Sequence, residues 1–240
     1  MNIYKIRESF IGISNKLRVY PFARRIWLLF FKKAASSYEA NIFHENAEET
    51  LITLSKALEE NNIRAWLVYG TLLGYVREKD FISHDYDIDL GLFHNDKNLG
   101  LEKVLLKYGF KKVREFQIDR GRYGLEQTYE LNGVTVDFFY IIDDGNKFIA
   151  HTFYSEDSYS MNQTIERNGG LLVTEFIFTP YYLERIEFKG AFFYIPKNPD
   201  LYLKEYYGED YMIPNKNWKT GMAKNSRHLN KVGERTLFLR

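Results

Sequence analysis

Asp85, Asp87 and Asp89 alternate with Tyr86, Ile88 and Leu90 in the segment YGTLLGYVREKDFISHDYDIDLGLF, Tyr69 to Phe93. Carboxylates this close repel one another, and taking them out of water is costly unless a positive charge joins them. The alternation predicts a β-strand with the aspartates on one face and Tyr86, Ile88 and Leu90 on the other. On such a strand the β-carbons of Asp87 and Asp89 stand ~7 Å apart, close enough to share divalent cations. Asp137 sits mid-strand in VTVDFFYII, with Val136 and Phe138 on the opposite face. If its strand neighbours the first, Asp137 completes a cluster of three carboxylates. Hard oxygen donors without His or Cys select Mg²⁺ or Mn²⁺ over zinc, so the expected metal ligands are Asp87, Asp89 and Asp137.

Two blander readings compete with a metal centre. An EF-hand loop fails, because Leu90 stands where that loop needs glycine and Asp96 where it needs a bidentate glutamate. A solvated face of an antiparallel sheet would make alternating aspartates harmless. Against this stands the Tyr69-Gly70-Thr71 turn directly upstream. A glycine turn opening a helix presents N–H groups to phosphate, and a carboxylate-bound metal nearby is the other half of a phosphoryl-transfer site.

The elements that must position these groups are legible in outline. Ala47, Leu51, Leu54 and Leu58 share one helical face in Glu45–Asn62. Ala65–Tyr69 reads as a short buried strand broken by Gly70, with Thr71 placed to cap a helix through Leu72, Leu73 and Val76. Leu101–Gly109 is a helix ended by glycine. Strands follow at Lys111–Ile118, Leu125–Leu131 and Val134–Ile142, with RGRYG and Asn132-Gly133 as turns. Further strands fall at Lys147–Tyr154, at Leu171–Phe178 and in a hairpin from Arg185 to Ile195. Pro199–Gly208 is a helix with proline at its start and glycine at its end. The expected fold class is α/β (α+β), a mixed and largely antiparallel sheet flanked by helices. The chain divides into a basic aromatic extension (1–40), a catalytic domain (41–214) and a basic C-terminal tail (215–240).

Composition bounds the function. The chain has 240 residues, 45% hydrophobic and 27% charged, ordinary values for a folded domain. The formal net charge of +1 argues against a dedicated nucleic-acid binder working by bulk electrostatics, so no nucleic-acid partner is expected. There is no cysteine, which removes disulfides, thiolate nucleophiles and cysteine-based zinc sites and fits a reducing compartment. The N-terminus does not read as a secretory signal. The apolar run Ile26–Phe31 is far shorter than the ~20 residues of a spanning helix. Arg24, Arg25, Lys32 and Lys33 flank it, with Trp27 inside. Residues 18–33 thus suit either a peripheral helix on an anionic membrane or one packed on the domain or a partner. The expected location is the cytoplasm, including the cytoplasmic face of a membrane.

The segment from Tyr69 resembles the signature of the LicD/fukutin family, in which G-T-L-L-G-x-x-R is followed by F-I-x-x-D-x-D-I-D. YLKEYYGEDYMIP (Tyr202 to Pro214) is similar to the family's later Y-G-x-x-Y/W…P segment. The resemblance extends from about Asn46 to Pro214. It implies a nucleotidyltransferase-like fold and transfer of a phosphorylated alcohol, such as phosphocholine, ribitol phosphate or glycerol phosphate. The donor would be a CDP-alcohol and the acceptor a glycan or lipid-linked glycan, as in cell-surface polysaccharide modification. Carried over by position, Gly70 and Thr71 match the phosphate-binding turn, Asp87 and Asp89 the metal pair, Asp85 the preceding acid, and Arg77 the motif arginine. Asp137 follows from fold logic, as metal ligand and general base or acceptor-positioning group. The family often has His after the motif arginine and Trp-Asp-Asp before the metal pair. Here Glu78 and HDYD stand there instead, and the DIDLGLF ending leans towards fukutin.

Secondary expectations remain open at this level. Arg77 either offers its fork to phosphate or pairs with Glu78 or Asp80 on the surface. His84 either contacts a substrate or is a hydrogen-bonded neighbour of the acidic strand. Arg120 and Arg122 mark a hairpin tip that either reaches phosphate or is solvated. Lys219, Lys224 and Arg227 lie in a tail that either folds over the donor or stays disordered. Two rival functions share the fold: a nucleotidyltransferase using an NTP, and a non-catalytic assembly component with a vestigial site.

Overall fold

The computed structural model describes residues 21–83, 85–215 and 217–238, with side chains from residue 40 onward. Five α-helices and ten strands follow one another as α1 (Pro21–Glu60), β1 (Trp66–Leu67), α2 (Tyr69–Arg77), β2 (Asp87–Phe93), α3 (Leu101–Lys107), β3 (Lys111–Ile118), β4 (Gly124–Leu131), β5 (Val134–Asp143), β6 (Phe148–Tyr154), α4 (Met161–Asn168), β7 (Leu171–Phe178), β8 (Leu183–Phe188), β9 (Ala191–Pro196), α5 (Pro199–Tyr207) and β10 (Ser226–Leu237). The fold is α/β in the α+β sense, with a mostly antiparallel sheet, as expected.

The sheet closes on itself. Its order is β4-β3-β10-β7-β6-β5-β2-β1-β9-β8, and an additional β4–β5 pairing joins β3, β4, β5, β6, β7 and β10 into a ring. The ring is narrowest between β5 and β6, which pair through Ile142–Ile149 and Asp143–Phe148. Contacts across it identify its inner face. Phe116 of β3 stacks on Phe153 of β6 with ring centroids 5.1 Å apart, although these strands are not neighbours. Phe116, Ile118, Phe153, Leu171 and Val173 fill the interior as a core of their own. Alongside them, His151, Glu175 and Arg227 face each other across β6, β7 and β10. Glu175 is fully buried, bound by the Arg227 guanidinium and by the Tyr123 hydroxyl at 2.9 Å. Burial, with a smaller push from His94, drives the neighbouring His151 down to about 4, Glu175 opposing.

Outside the ring, β2 lies between β5, which it meets in parallel, and β1, which it meets antiparallel. The apolar face of α1 covers this side, with Ala47, Leu51, Leu54 and Leu58 buried as their spacing predicts. Ser55 ties α1 to β9, its hydroxyl donating to the Phe192 carbonyl at 2.9 Å and accepting from the Phe192 N–H at 3.0 Å.

Several expectations are corrected. The strand at Ala65–Tyr69 shrinks to Trp66–Leu67, because Tyr69 already begins α2. Thr71 does not cap α2; Val68 holds that position without a side-chain bond, and Thr71 is buried inside the helix. Asp85 and Tyr86 precede β2, and Tyr86 is exposed rather than buried with Ile88 and Leu90. The helix α1 runs through residue 40 without interruption. The tail contributes β10, inserted between β3 and β7. The short helix α4 was not expected; its signal was a capping box between Ser160 and Gln163, with Gly169 at the C-cap. His84 and the side chains of residues 18–33 lie outside the described residues. Among the described residues, no helix is long and apolar enough to cross a membrane.

Gly233 is where β10 passes closest to the ring's interior. A β-carbon there would stand 2.3 Å from Phe153 Cδ1. Gly233→Ala is expected to lower unfolding free energy by about 1–3 kcal/mol, the usual cost of overpacking, in a urea titration. An unchanged midpoint would mean that β10 does not close the ring in this register.

Candidate functional site

Parallel pairing of β2 with β5 sets Asp89 directly opposite Asp137. Asp87 is two residues upstream on the same face, as the period of a strand requires. One carboxylate oxygen from each of Asp87, Asp89 and Asp137 lies within 4.8 Å of the others. Asp87 and Asp89 are half-buried, and Asp137 is 7% exposed. The three aspartates expected to cluster therefore do so.

The turn from β1 into α2 anchors the central member. The Gly70 N–H donates to Asp89 Oδ2 at 3.3 Å, and the Asp89 N–H donates to Thr71 Oγ1 at 2.8 Å. Val68 N–H adds a bond to the Asp89 carbonyl at 3.2 Å. Tyr69 makes the bend with φ of 44°, a left-handed conformation that a bulky residue adopts only under constraint. Gly70 lies close to the acidic side chains. A β-carbon there would sit 3.0 Å from Asp85 Oδ2 and 3.5 Å from Asp89 Oδ2. Asp85, although outside the strand, thus turns its carboxylate towards the same turn.

The sequence reading missed three participants. Thr128 of β4 stands opposite Asp137, and its hydroxyl donates to Asp137 Oδ1 in a short bond. Arg114 of β3 reaches the same Oδ1 at 3.5 Å and Glu126 Oε1 at 3.7 Å. Glu126, also on β4, is 5% exposed. Counting back from the Asn132-Gly133 turn would have set Thr128 against Asp137, since a tight hairpin defines its register. Nothing local to Arg114 or Glu126 marked them.

Arg77 is nearly buried and spends its guanidinium on Glu78, at 3.1 Å from Nε and 2.6 Å from Nη2, with Nη1 3.5 Å from the Tyr211 carbonyl. This is the pairing with exposed Glu78 that the sequence offered as one of two readings. Arg120 and Arg122 are exposed at their turn. Arg227, itself exposed, is committed to the buried Glu175.

Negative charge exceeds positive charge throughout the cluster. Asp89 is held well above the usual carboxylate range by burial, then by Asp87, Asp137 and Asp85, with the Gly70 N–H opposing. Burial, Asp137 and Asp85 push Asp87 up to about 7, Arg114 opposing. Burial and Asp137 push Glu126 up to about 8, again against Arg114. Burial raises Asp137, while Arg114 and the Thr128 hydroxyl pull it down. Converging hard oxygens under this excess charge could hold a divalent cation at Asp87, Asp89 and Asp137. Beside them stands an aromatic wall. Trp218 packs on Tyr207 at 4.5 Å and on Tyr206 at 5.2 Å, and both phenols are raised by burial and by Asp89.

The chain is 26% identical to the ribitol-5-phosphate transferase FKTN of Mus musculus over 190 residues, covering 76% of this chain and 37% of that protein. The Homo sapiens protein of the same name is 26% identical over 193 residues, with the same coverage. An uncharacterized protein of Rickettsia prowazekii is 32% identical over 103 residues, 42% of this chain and 35% of its own length. The chain therefore spans little more than a third of the curated relatives it matches. Residues 62–198, which include β1, α2, β2 and β5, match the family described as LicD/FKTN/FKRP, nucleotidyltransferase domain, and the chain belongs to that family.

Proposed function

We propose that this site transfers a phosphorylated alcohol from a CDP-activated donor to a hydroxyl of a glycan or lipid-linked glycan, releasing CMP. The observation that carries the reading is the convergence of Asp87, Asp89 and Asp137 beside the Gly70 turn in a chain of this family. The relatives' name, ribitol-5-phosphate transferase, puts ribitol phosphate first among the alcohols to test, ahead of phosphocholine and glycerol phosphate.

Asp87, Asp89 and Asp137 would hold the cation, which would supply positive charge against the donor's diphosphate. Gly70 and Thr71, at the N-terminal turn of α2, would act on the donor through Asp89, which the Gly70 N–H and the Thr71 hydroxyl hold in place. The acceptor hydroxyl attacks the phosphorus bearing the alcohol, and the bond from that phosphorus to the CMP oxygen breaks. Asp137 would take the hydroxyl proton on Oδ2, and burial, which raises its carboxyl, makes it a better proton acceptor than a solvated aspartate. Trp218, packed at 52° against Tyr207, would offer a ring face to the donor's base.

Incubation with CDP-ribitol, CDP-choline and CDP-glycerol, each with a glycan acceptor, should release CMP from at least one, detected by mass spectrometry. Pyrophosphate from an NTP in place of CMP would move the assignment to a nucleotidyltransferase. Asp89→Asn should lower turnover by more than about 1,000-fold, the upper scale for removing a preorganised charge.

The same variant separates chemistry from stability. A carboxyl whose pKa is raised by folding contributes stability that is present below its unfolded value, ~4, and lost as pH rises through its folded value. For this cluster the loss extends through about 7 at Asp87 and about 8 at Glu126. In EDTA at pH 8, Asp89→Asn is therefore expected to be more stable than wild type by about 1 kcal/mol, read from urea melts. A destabilised variant under those conditions would contradict the excess negative charge.

A further inference from the structure

The two oxygens of Asp137 are treated differently by their surroundings. Oδ1 accepts the Thr128 hydroxyl and faces Arg114 Nη2 at 3.5 Å. Among the described residues no donor reaches Oδ2. We propose that Thr128 and Arg114 are positioning residues, which occupy Asp137 Oδ1 so that Oδ2 is presented to the cation shared with Asp87 and Asp89. This inference rests on the functional reading above and concerns only how the third carboxylate is aimed.

Three features of the surroundings support it. Thr128 is 2% exposed and sits in register with Asp137, so its hydroxyl has little freedom to turn elsewhere. The Arg114 guanidinium lies over the Phe116 ring at 4.8 Å, which limits its movement along the ring's inner face. Glu126 faces Arg114 from the other side, at 3.7 Å. Divided between two carboxylates, the guanidinium supplies a donor to Asp137 without forming the full bidentate pair that would close both its oxygens. Glu126 therefore has a purpose that the metal triad alone would not explain. It keeps Arg114 from competing with the cation.

Direct Mn²⁺ titration, followed by electron paramagnetic resonance of free Mn²⁺, tests the inference without an activity assay. Thr128→Val keeps the shape and removes the hydroxyl. It should weaken Mn²⁺ binding about 10–100-fold, as loss of a ligand-orienting partner does. Thr128→Ser should restore most of it. Arg114→Gln gives a test of sign: removing a positive charge tightens cation binding by Coulomb's law alone, whereas loss of positioning weakens it. Wild-type affinity in Thr128→Val, or tighter Mn²⁺ binding in Arg114→Gln, would overturn the inference while leaving the functional reading intact. A wild-type chain that holds no Mn²⁺ would overturn both. Circular dichroism melts of each variant identify any loss of binding that comes from unfolding, and Thr128→Val, being nearly isosteric, keeps the test decisive if Arg114→Gln does not fold.

Discussion

Repulsion among buried carboxylates is the interaction around which this protein is organised. Among the described residues, Asp87, Asp89, Asp137 and Glu126 gather against the guanidinium of Arg114. Left to itself such a cluster would separate or take up protons. It persists because its members come from elements whose positions are determined elsewhere. β2 is held on both edges, α2 packs across it, and β4 and β5 are locked by a tight hairpin. The apolar core stabilises a local arrangement that is itself unfavourable, a common condition of sites that bind highly charged ligands.

The closed ring is what makes that support stiff. An open sheet would leave β3 and β7 as edges free to splay, and Arg114 would move with β3. β10 removes both edges by pairing with β3 on one side and β7 on the other. Its bulge between Leu229 and Gly233 lets a strand rich in charge bend around Phe153. The buried Glu175 has Arg227 and Tyr123 as partners, so β10 is joined to the ring by charge as well as by its backbone ladder. A segment far from the carboxylates in sequence thereby contributes to their geometry.

Much of this was legible residue by residue. The alternation in YDIDLGLF carries β2 and its acidic face, and the spacing of Leu51, Leu54 and Leu58 carries the buried side of α1. Proline and glycine bracket α5. These signals are strong because each is periodic or sterically restrictive. The strand β10 carried no such signal, since SRHLNKVGERTL buries little beyond Gly233 and is held by hydrogen bonds to neighbours distant in the chain. Thr71 misled because a threonine after a glycine turn suits a cap. Here the hydroxyl instead accepts the Asp89 N–H from across the strand, and only a tertiary neighbour could provide that donor.

The sequence by itself determined which carboxylates are available and on which face of their strands Asp87, Asp89 and Asp137 stand. It determined these because side-chain direction along a strand has period two, whatever the rest of the chain does. Tertiary structure decided which strands are neighbours, and with that the meeting of Asp89 with Asp137 and the encirclement of Asp137 by Thr128, Arg114 and Glu126. Those choices depend on ring closure and on packing between distant segments, and such long-range pairings leave no trace in the local spacing of residues.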